Sequence, residues 1–139
     1  MKDQQSVTMD EAVEAYAAAW NNLDFSRFEP LVAEDVQYVS QNVIVEIDCK
    51  TGLMAYFRDL VEVIRFSPEK KVFAELGMTM PYDMYPKGGE PCVILSQGGK
   101  DHIIALVLFE LKENKISKIE HCTFIPDPCT AHRSGNYPK

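Results

Sequence analysis

Three things are missing from this 139-residue chain: a membrane-length apolar run, an excess of positive charge and a glycine-rich phosphate loop. Nothing approaches the roughly 20 consecutive apolar residues that cross a bilayer, and the opening stretch MKDQQSVTMDEA has no apolar signal core. No membrane partner is expected. Fourteen Lys and Arg against 21 Asp and Glu leave a net charge of -7, with the basic residues scattered, so a phosphate-tracking surface for nucleic acid is excluded. Without a Gly-x-Gly-x-x-Gly pattern, Gly88-Gly89 and Gly98-Gly99 read as turns, and no cofactor is expected. Cysteine is sparse. Cys49, Cys92, Cys122 and Cys129 lie at irregular spacings, which suits free thiols and a cytoplasmic protein. His121, Cys122, Cys129 and His132 are close in sequence but fit no zinc spacing, and neighbours on a strand point to opposite faces, so no metal site is assigned. There are no repeats and no linker. One domain over 1–139 is expected, with a core over about 8–125 and an irregular tail over 126–139.

What is present is organised around HIIALVLFELKENKISKIEHCTFI, His102 to Ile125, which reads as two long strands joined by a tight polar turn. Ile103, Ala105, Val107, Phe109 and Leu111 lie on one face of the first arm, and Ile104, Leu106 and Leu108 on the other. Neither face suits water. Helices earlier in the chain can cover one face; a second copy of the protein is the simplest cover for the other, which predicts a homodimer through the outer sheet face.

Ahead of that hairpin, Thr8 and Glu11 form a capping box, and Met9, Val13, Tyr16, Ala17 and Trp20 recur at helical spacing. A helix over Met9 to Asn22 follows. Phe25, Phe28, Leu31 and Val32 fit a short helix made irregular by Pro30, Val36 to Gln41 alternates as a strand, and Val43 to Ile47 adds an extended piece. Thr51 is placed as the cap of a third helix, whose Leu53, Tyr56, Phe57, Leu60, Val61 and Ile64 share a face until Ser67-Pro68. Val72 to Met80 and Pro91 to Gln97 read as strands. Between them, residues 79–91 hold three prolines and several large apolar side chains, either a flap or an ordinary connection.

AYAAAWNNLDFSRFEPLVAEDVQYVS, then GLMAYFRDL and LFELKENKISKIE, resemble the nuclear transport factor 2-like superfamily, especially its SnoaL-like and ketosteroid-isomerase-like members, from about Glu11 to Phe124. The resemblance implies an α+β, cystatin-like plan: a cone-shaped, curved antiparallel sheet wrapped around N-terminal helices, with a pocket for a small hydrophobic ligand and dimerisation by the outer sheet face. Where many members have a glycine before the third helix, this chain has Cys49. The pocket would be lined by Tyr16, Trp20, Tyr38, Ser40, Tyr56, Phe57, Ile104, Leu106, Leu108, Ile119, His121 and Thr123. An even loop at Glu113-Asn114 puts His121 on the face of Leu106, and a three-residue loop changes the pairing.

By the same resemblance Tyr16 stands where ketosteroid isomerase has its oxyanion tyrosine, but Ser40 replaces the base and Leu106 the second donor. Steroid isomerisation by that route is disfavoured. The acidic set of limonene epoxide hydrolase is missing from Ile104, Leu106 and Leu108. The remaining equipment, His121 with Tyr16 and Tyr38, is similar in kind to that of scytalone dehydratase: a neutral imidazole takes a proton beside a carbonyl while a phenol donates to the enolate. Isomerase, cyclase and dehydratase chemistry all fit. Alternatives are a ligand-binding module, a dimeric scaffold, and a structural His121 bonded to Ser40, Tyr38 or Thr123. His102 reads as a loop residue, and Glu75 and Glu110 as carboxylates at a wet strand end or rim.

Overall fold

In the computed structural model, which describes residues 7–40, 47–79, 89–123 and 131–139, Thr8 opens the first helix as the sequence requires. Its side chain accepts from the Glu11 N–H while Glu11 accepts from the Thr8 N–H, and helix α1 runs Met9–Asn22 before Leu23 closes it in the left-handed region at φ 55°. Ala12, Tyr16, Ala17, Ala19 and Trp20 are buried on one face. The predicted second helix shrinks to a single 3-10 turn, Glu29–Leu31, with Pro30 inside it. Strand β1, Val32–Ser40, starts earlier than its alternation suggested.

The cap of the next helix differs from expectation. Helix α2 spans Lys50–Phe66, so Thr51 lies inside it, and Cys49 is the cap, its Sγ accepting from the Gly52 N–H at 3.4 Å. Sulfur is a weak acceptor, and the hydroxyl that drew the cap assignment lies only two residues later. Strands β2 (Val72–Thr79), β3 (Pro91–Gln97), β4 (Ile103–Lys112), β5 (Lys115–Cys122) and β6 (Ala131–Arg133) complete a six-stranded sheet of order β1-β5-β4-β3-β2-β6. All neighbours are antiparallel except β1 and β5, which run parallel. The sheet is curved and unclosed, α1 lies against β2 and β3, and α2 lies against β1, an α+β arrangement with its core on the helix side. Ile47 bridges Tyr38, while the rest of the extended piece before it, and residues 80–88 of the suggested flap, lie outside the described residues. No described helix is long and apolar enough to cross a membrane.

The central hairpin has the expected even loop, Glu113 and Asn114 both at positive φ, yet its register is shifted. Leu111 faces Ile116 but Glu110 faces Lys118, so Ser117 is one residue too many for the ladder, and its hydroxyl donates to the Glu110 carbonyl at 3.1 Å. Beyond this bulge Val107, not Leu106, stands opposite His121. Leu106 and Leu108 therefore belong to the outer face, in a second cluster with Cys92 and Ile94, and do not line the helix side. Ala105, Val107 and Phe109 take that wall instead. Ile104, beside a second irregularity near Leu95, does pack on the main core.

Nor is the outer face bare. Cys92 and Ile94 are fully buried and Leu106 is 9% exposed within one chain, with Ala131 packed against them. A second copy is therefore not the simplest cover for the middle of this face, and the end of the chain adds Ala131 to it. Strand β6 pairs with β2, and Gly77 allows the approach: a Cβ there would meet Ile94 Cδ1 at 2.6 Å and the His132 carbonyl at 2.9 Å. Glu75 is the anchor, buried rather than wet, accepting from Arg133 Nε at 2.8 Å, the Gly135 N–H at 2.7 Å and the Tyr137 hydroxyl at 3.2 Å. Asn21 of α1 adds a clamp, donating to the Ala74 and Pro138 carbonyls and accepting from the Ala74 N–H.

Glu75→Ala removes the acceptor of three bonds and should lower stability by about 2 kcal/mol, less than for a wholly buried pair because Arg133 is partly solvated. Urea unfolding of the variant checks this; a loss below about 0.5 kcal/mol would mean that the tail is held by something else.

Candidate functional site

The bulge at Ser117 aims His121 toward the helix side, where β1 brings Ser40 beside it in the parallel ladder. Ser40 Oγ lies 3.3 Å from His121 Nδ1. The Tyr38 ring stacks on the imidazole at 6.2 Å between centroids and 25° between planes, and Tyr56 from α2 closes on Tyr38 at 5.5 Å. His121 is half-buried, and burial pulls its pKa below 6.5, which favours a neutral ring. Burial pushes the Tyr38 hydroxyl up, and the nearby Tyr16 and Tyr56 phenols push the same way. A neutral base thus sits beside a phenol that keeps its proton.

Tyr16 lies deeper. It has no exposed surface and its ring meets those of Trp20, Phe25, Phe28, Phe57 and Phe109 edge-on, at 5.2–6.4 Å. Burial raises its pKa first; the Trp20 indole N–H tempers this from nearby without meeting full hydrogen-bond geometry. Tyr16 Oη and Trp20 Nε1 are both buried and have no hydrogen-bond partner among the described residues. Such groups normally find one.

Of the twelve residues expected at the pocket, Tyr38, Ser40, Tyr56 and His121 come together, with Phe57 and Ile119 fully buried behind them. Thr123 is half-buried just past the end of β5, while Tyr16 and Trp20 sit within the ring cluster. Leu106 and Leu108 are on the other side of the sheet. Sequence reasoning missed Phe25 and Phe28, whose rings help fill the interior; their helical spacing was noted, but not that they reach Tyr16. Three clefts lined by described residues lie elsewhere: between the α1–β1 connection and α2, beside α1 and the chain end, and along the β1–β5 edge. None includes Tyr16, Tyr38 or His121. Among the described residues no group of three or more His, Cys, Asp and Glu could hold a metal ion. His102 is exposed and its Nδ1 is 2.7 Å from the Gln97 carbonyl, a turn contact. Cys129 lies outside the described residues.

No protein-family model and no curated protein matches the sequence. Solved structures do. An NTF2-like protein of unknown function from Cytophaga hutchinsonii superposes with a TM-score of 0.55 at 17% identity, covering 87% of this chain and 92% of that one. A protein provisionally named a polyketide cyclase, from Sinorhizobium meliloti, gives 0.55 at 13% identity over 83% and 99%. A limonene-epoxide-hydrolase-like epoxide hydrolase of Mycobacterium tuberculosis gives 0.55 at 16% over 90% and 85%. The chain has the nuclear transport factor 2-like fold.

Within this NTF2-like fold the helix-side wall of β4 is Ala105, Val107 and Phe109, as devoid of acids as the Leu106 wall it replaces. Glu120 neighbours His121 in sequence but pairs with Leu108, on the outer side. The chemistry available at this end is imidazole and phenol.

Two predictions follow from burial. Tyr16→Phe removes a hydroxyl that has no hydrogen-bond partner among the described residues and should leave stability unchanged or raise it by about 1 kcal/mol, readable by urea titration; a loss above about 1 kcal/mol would reveal a hidden bond. As pH falls below the ordinary histidine value of 6.5, the unfolded chain takes up a proton at His121 while the folded chain, with its lowered pKa, does not. Stability therefore drops from pH 6.5 down to the folded pKa, and His121→Gln should flatten that part of the pH–stability curve. An unchanged slope in the variant would contradict the burial of the imidazole.

Proposed function

We propose that the protein binds a small hydrophobic carbonyl compound at the Tyr38–Tyr56–His121 end and moves a proton on it, as a cofactor-independent isomerase, cyclase or dehydratase. The observation that carries this reading is the half-buried His121 ring, 3.3 Å from Ser40 Oγ through Nδ1 and stacked on the Tyr38 ring. If Nδ1–H donates to Ser40, Nε2 holds a lone pair and can remove a proton next to the carbonyl. Tyr38 then donates to the enolate oxygen, and Ile119 and Phe57 supply the apolar surroundings. Tyr16 and Trp20, with their unmatched donors, would receive the polar end of a ligand that displaces a ring of the interior cluster. Neighbours of the same fold named as a cyclase or an isomerase are consistent with this chemistry without specifying it.

A second reading is a binding module without turnover. It is favoured by the filled interior, in which Phe25 stacks on Phe57 at 4.4 Å and Tyr16 is sealed from water. Catalysis by imidazole needs a reachable reacting atom.

The two separate in one experiment. A panel of hydrophobic ketones incubated with the protein in D2O should include one whose α-protons exchange faster, with about a hundredfold loss in His121→Gln and a smaller loss in Tyr38→Phe. Saturable binding without exchange would favour the module. Neither binding nor exchange across the panel would overturn both.

A further inference from the structure

The chain end is tied to α1 at the residue next to Trp20. Asn21 donates to the Pro138 carbonyl at 2.7 Å and to the Ala74 carbonyl of β2 at 2.8 Å, and accepts from the Ala74 N–H at 2.9 Å. One carboxamide thus joins the last turn of α1, the sheet and the tail. Past β6 the chain stays on β2, where the Asn136 carbonyl accepts from the Leu76 N–H at 2.9 Å. Arg133 holds it down: besides Glu75 it reaches Asp101 Oδ1 at 3.0 Å, the Lys100 carbonyl at 2.8 Å and the Tyr137 hydroxyl at 3.0 Å, and Lys100 Nζ lies 4.5 Å over the Tyr137 ring. Glu75 is buried, but Asp101 is exposed and the Arg133 side chain half-exposed, so the outer half of this latch is wet.

We propose that residues 131–139 are a strap whose release from Glu75 frees the end of α1 and opens the interior at Tyr16 and Trp20 to a ligand. The purpose of the opening rests on the function proposed above; the coupling of strap to interior does not, and is tested without a ligand. Three observations favour the coupling. Tyr16 and Trp20 are sealed from water although each carries a polar atom with no hydrogen-bond partner among the described residues, so a ligand reaches them only if an element moves. Both side chains belong to α1, and besides the strap and Ala74 the hydrogen bond fastening its last turn is from Lys71 Nζ to the Asn21 carbonyl at 3.1 Å. On its outward side α1 presents Ala15, Ala18 and Ala19 to a cleft of about 470 Å³ whose far wall is Asn136, Pro138 and Lys139. The alanines leave the helix room to tilt that way once the tail is lifted.

Trp20 is the chain's one tryptophan, so its indole reports on the interior directly. The test is native-state hydrogen exchange of the full chain, read at the Trp20 indole N–H, at the Leu76 amide under the strap and at the Val107 amide in the middle of the sheet. In the wild type Trp20 and Leu76 should open together, and faster than Val107. The double variant Glu75→Gln, Arg133→Gln removes the ion pair without leaving a buried charge, and should speed exchange at Leu76 and Trp20 about tenfold or more. Acrylamide quenching of Trp20 fluorescence should rise with it. A Trp20 indole that exchanges in the wild type only as slowly as Val107 overturns the proposal, and this comparison decides it even if the double variant fails to fold. So does a variant in which Leu76 is freed while Trp20 exchange and quenching stay at wild-type values, or one in which Leu76 exchange is unchanged. Absence of ketone exchange with the coupling intact would count against the proposed chemistry alone.

Discussion

One extra residue in a ladder decides which way the end of β5 faces. Side chains alternate with a period of two, so the single-residue slip at Ser117 reverses every position beyond it. With the slip, Ile119 and His121 turn toward the helices, meeting Tyr38 and Ser40 of β1, and Glu120 and Cys122 turn outward. Without it, a glutamate would enter the apolar side and Ile119 would leave it. The hydrophobic pattern therefore enforces the bulge: burial of both Ile116 and Ile119 in the helix-side core spans three positions, where alternation returns to one face only after two or four.

The ring cluster on the helix side depends on the same geometry. Phe109 can reach Tyr16 because it pairs with Ile119, and Tyr16 then gathers Phe25, Phe28 and Phe57 from the connection and α2. These contacts fill the interior between the helices and the sheet, and Ser40 and His121 lie beside it at the ends of β1 and β5. Burial there has two consequences of one cause: low polarity disfavours the charged form, which keeps imidazole neutral and phenols protonated.

Much of the fold was legible in the sequence because local rules agreed with one another. The capping box fixed α1 at Met9–Asn22, Gly98-Gly99 and the breakers around it bounded β3, and the doubly apolar hairpin announced a sheet covered on both sides. What was not legible is what depends on a single misaligned residue or on distant returns of the chain. Ser117 carries no signal that distinguishes a bulge from an ordinary strand position, so Leu106 and Leu108 were placed on the wrong face while His121 was placed on the right one for the wrong pairing. The breaker-rich tail gave no hint of the Glu75 anchor, since a glutamate in an apolar strand reads as a rim residue until its three donors are seen arriving from Arg133, Gly135 and Tyr137. Cys49 as a cap was not legible either, because sulfur is a weak acceptor and the Thr51 hydroxyl stood two residues away.

The proposed proton transfer requires a neutral His121 held through Nδ1 by Ser40. Long-range nitrogen–proton NMR on 15N-labelled protein reads both the tautomer and the pKa of that ring. The result predicted is a proton on Nδ1, an unprotonated Nε2 at neutral pH, and a pKa below 6.5. A ring that titrates at or above 6.5, or one whose proton sits on Nε2, would contradict the base assigned here.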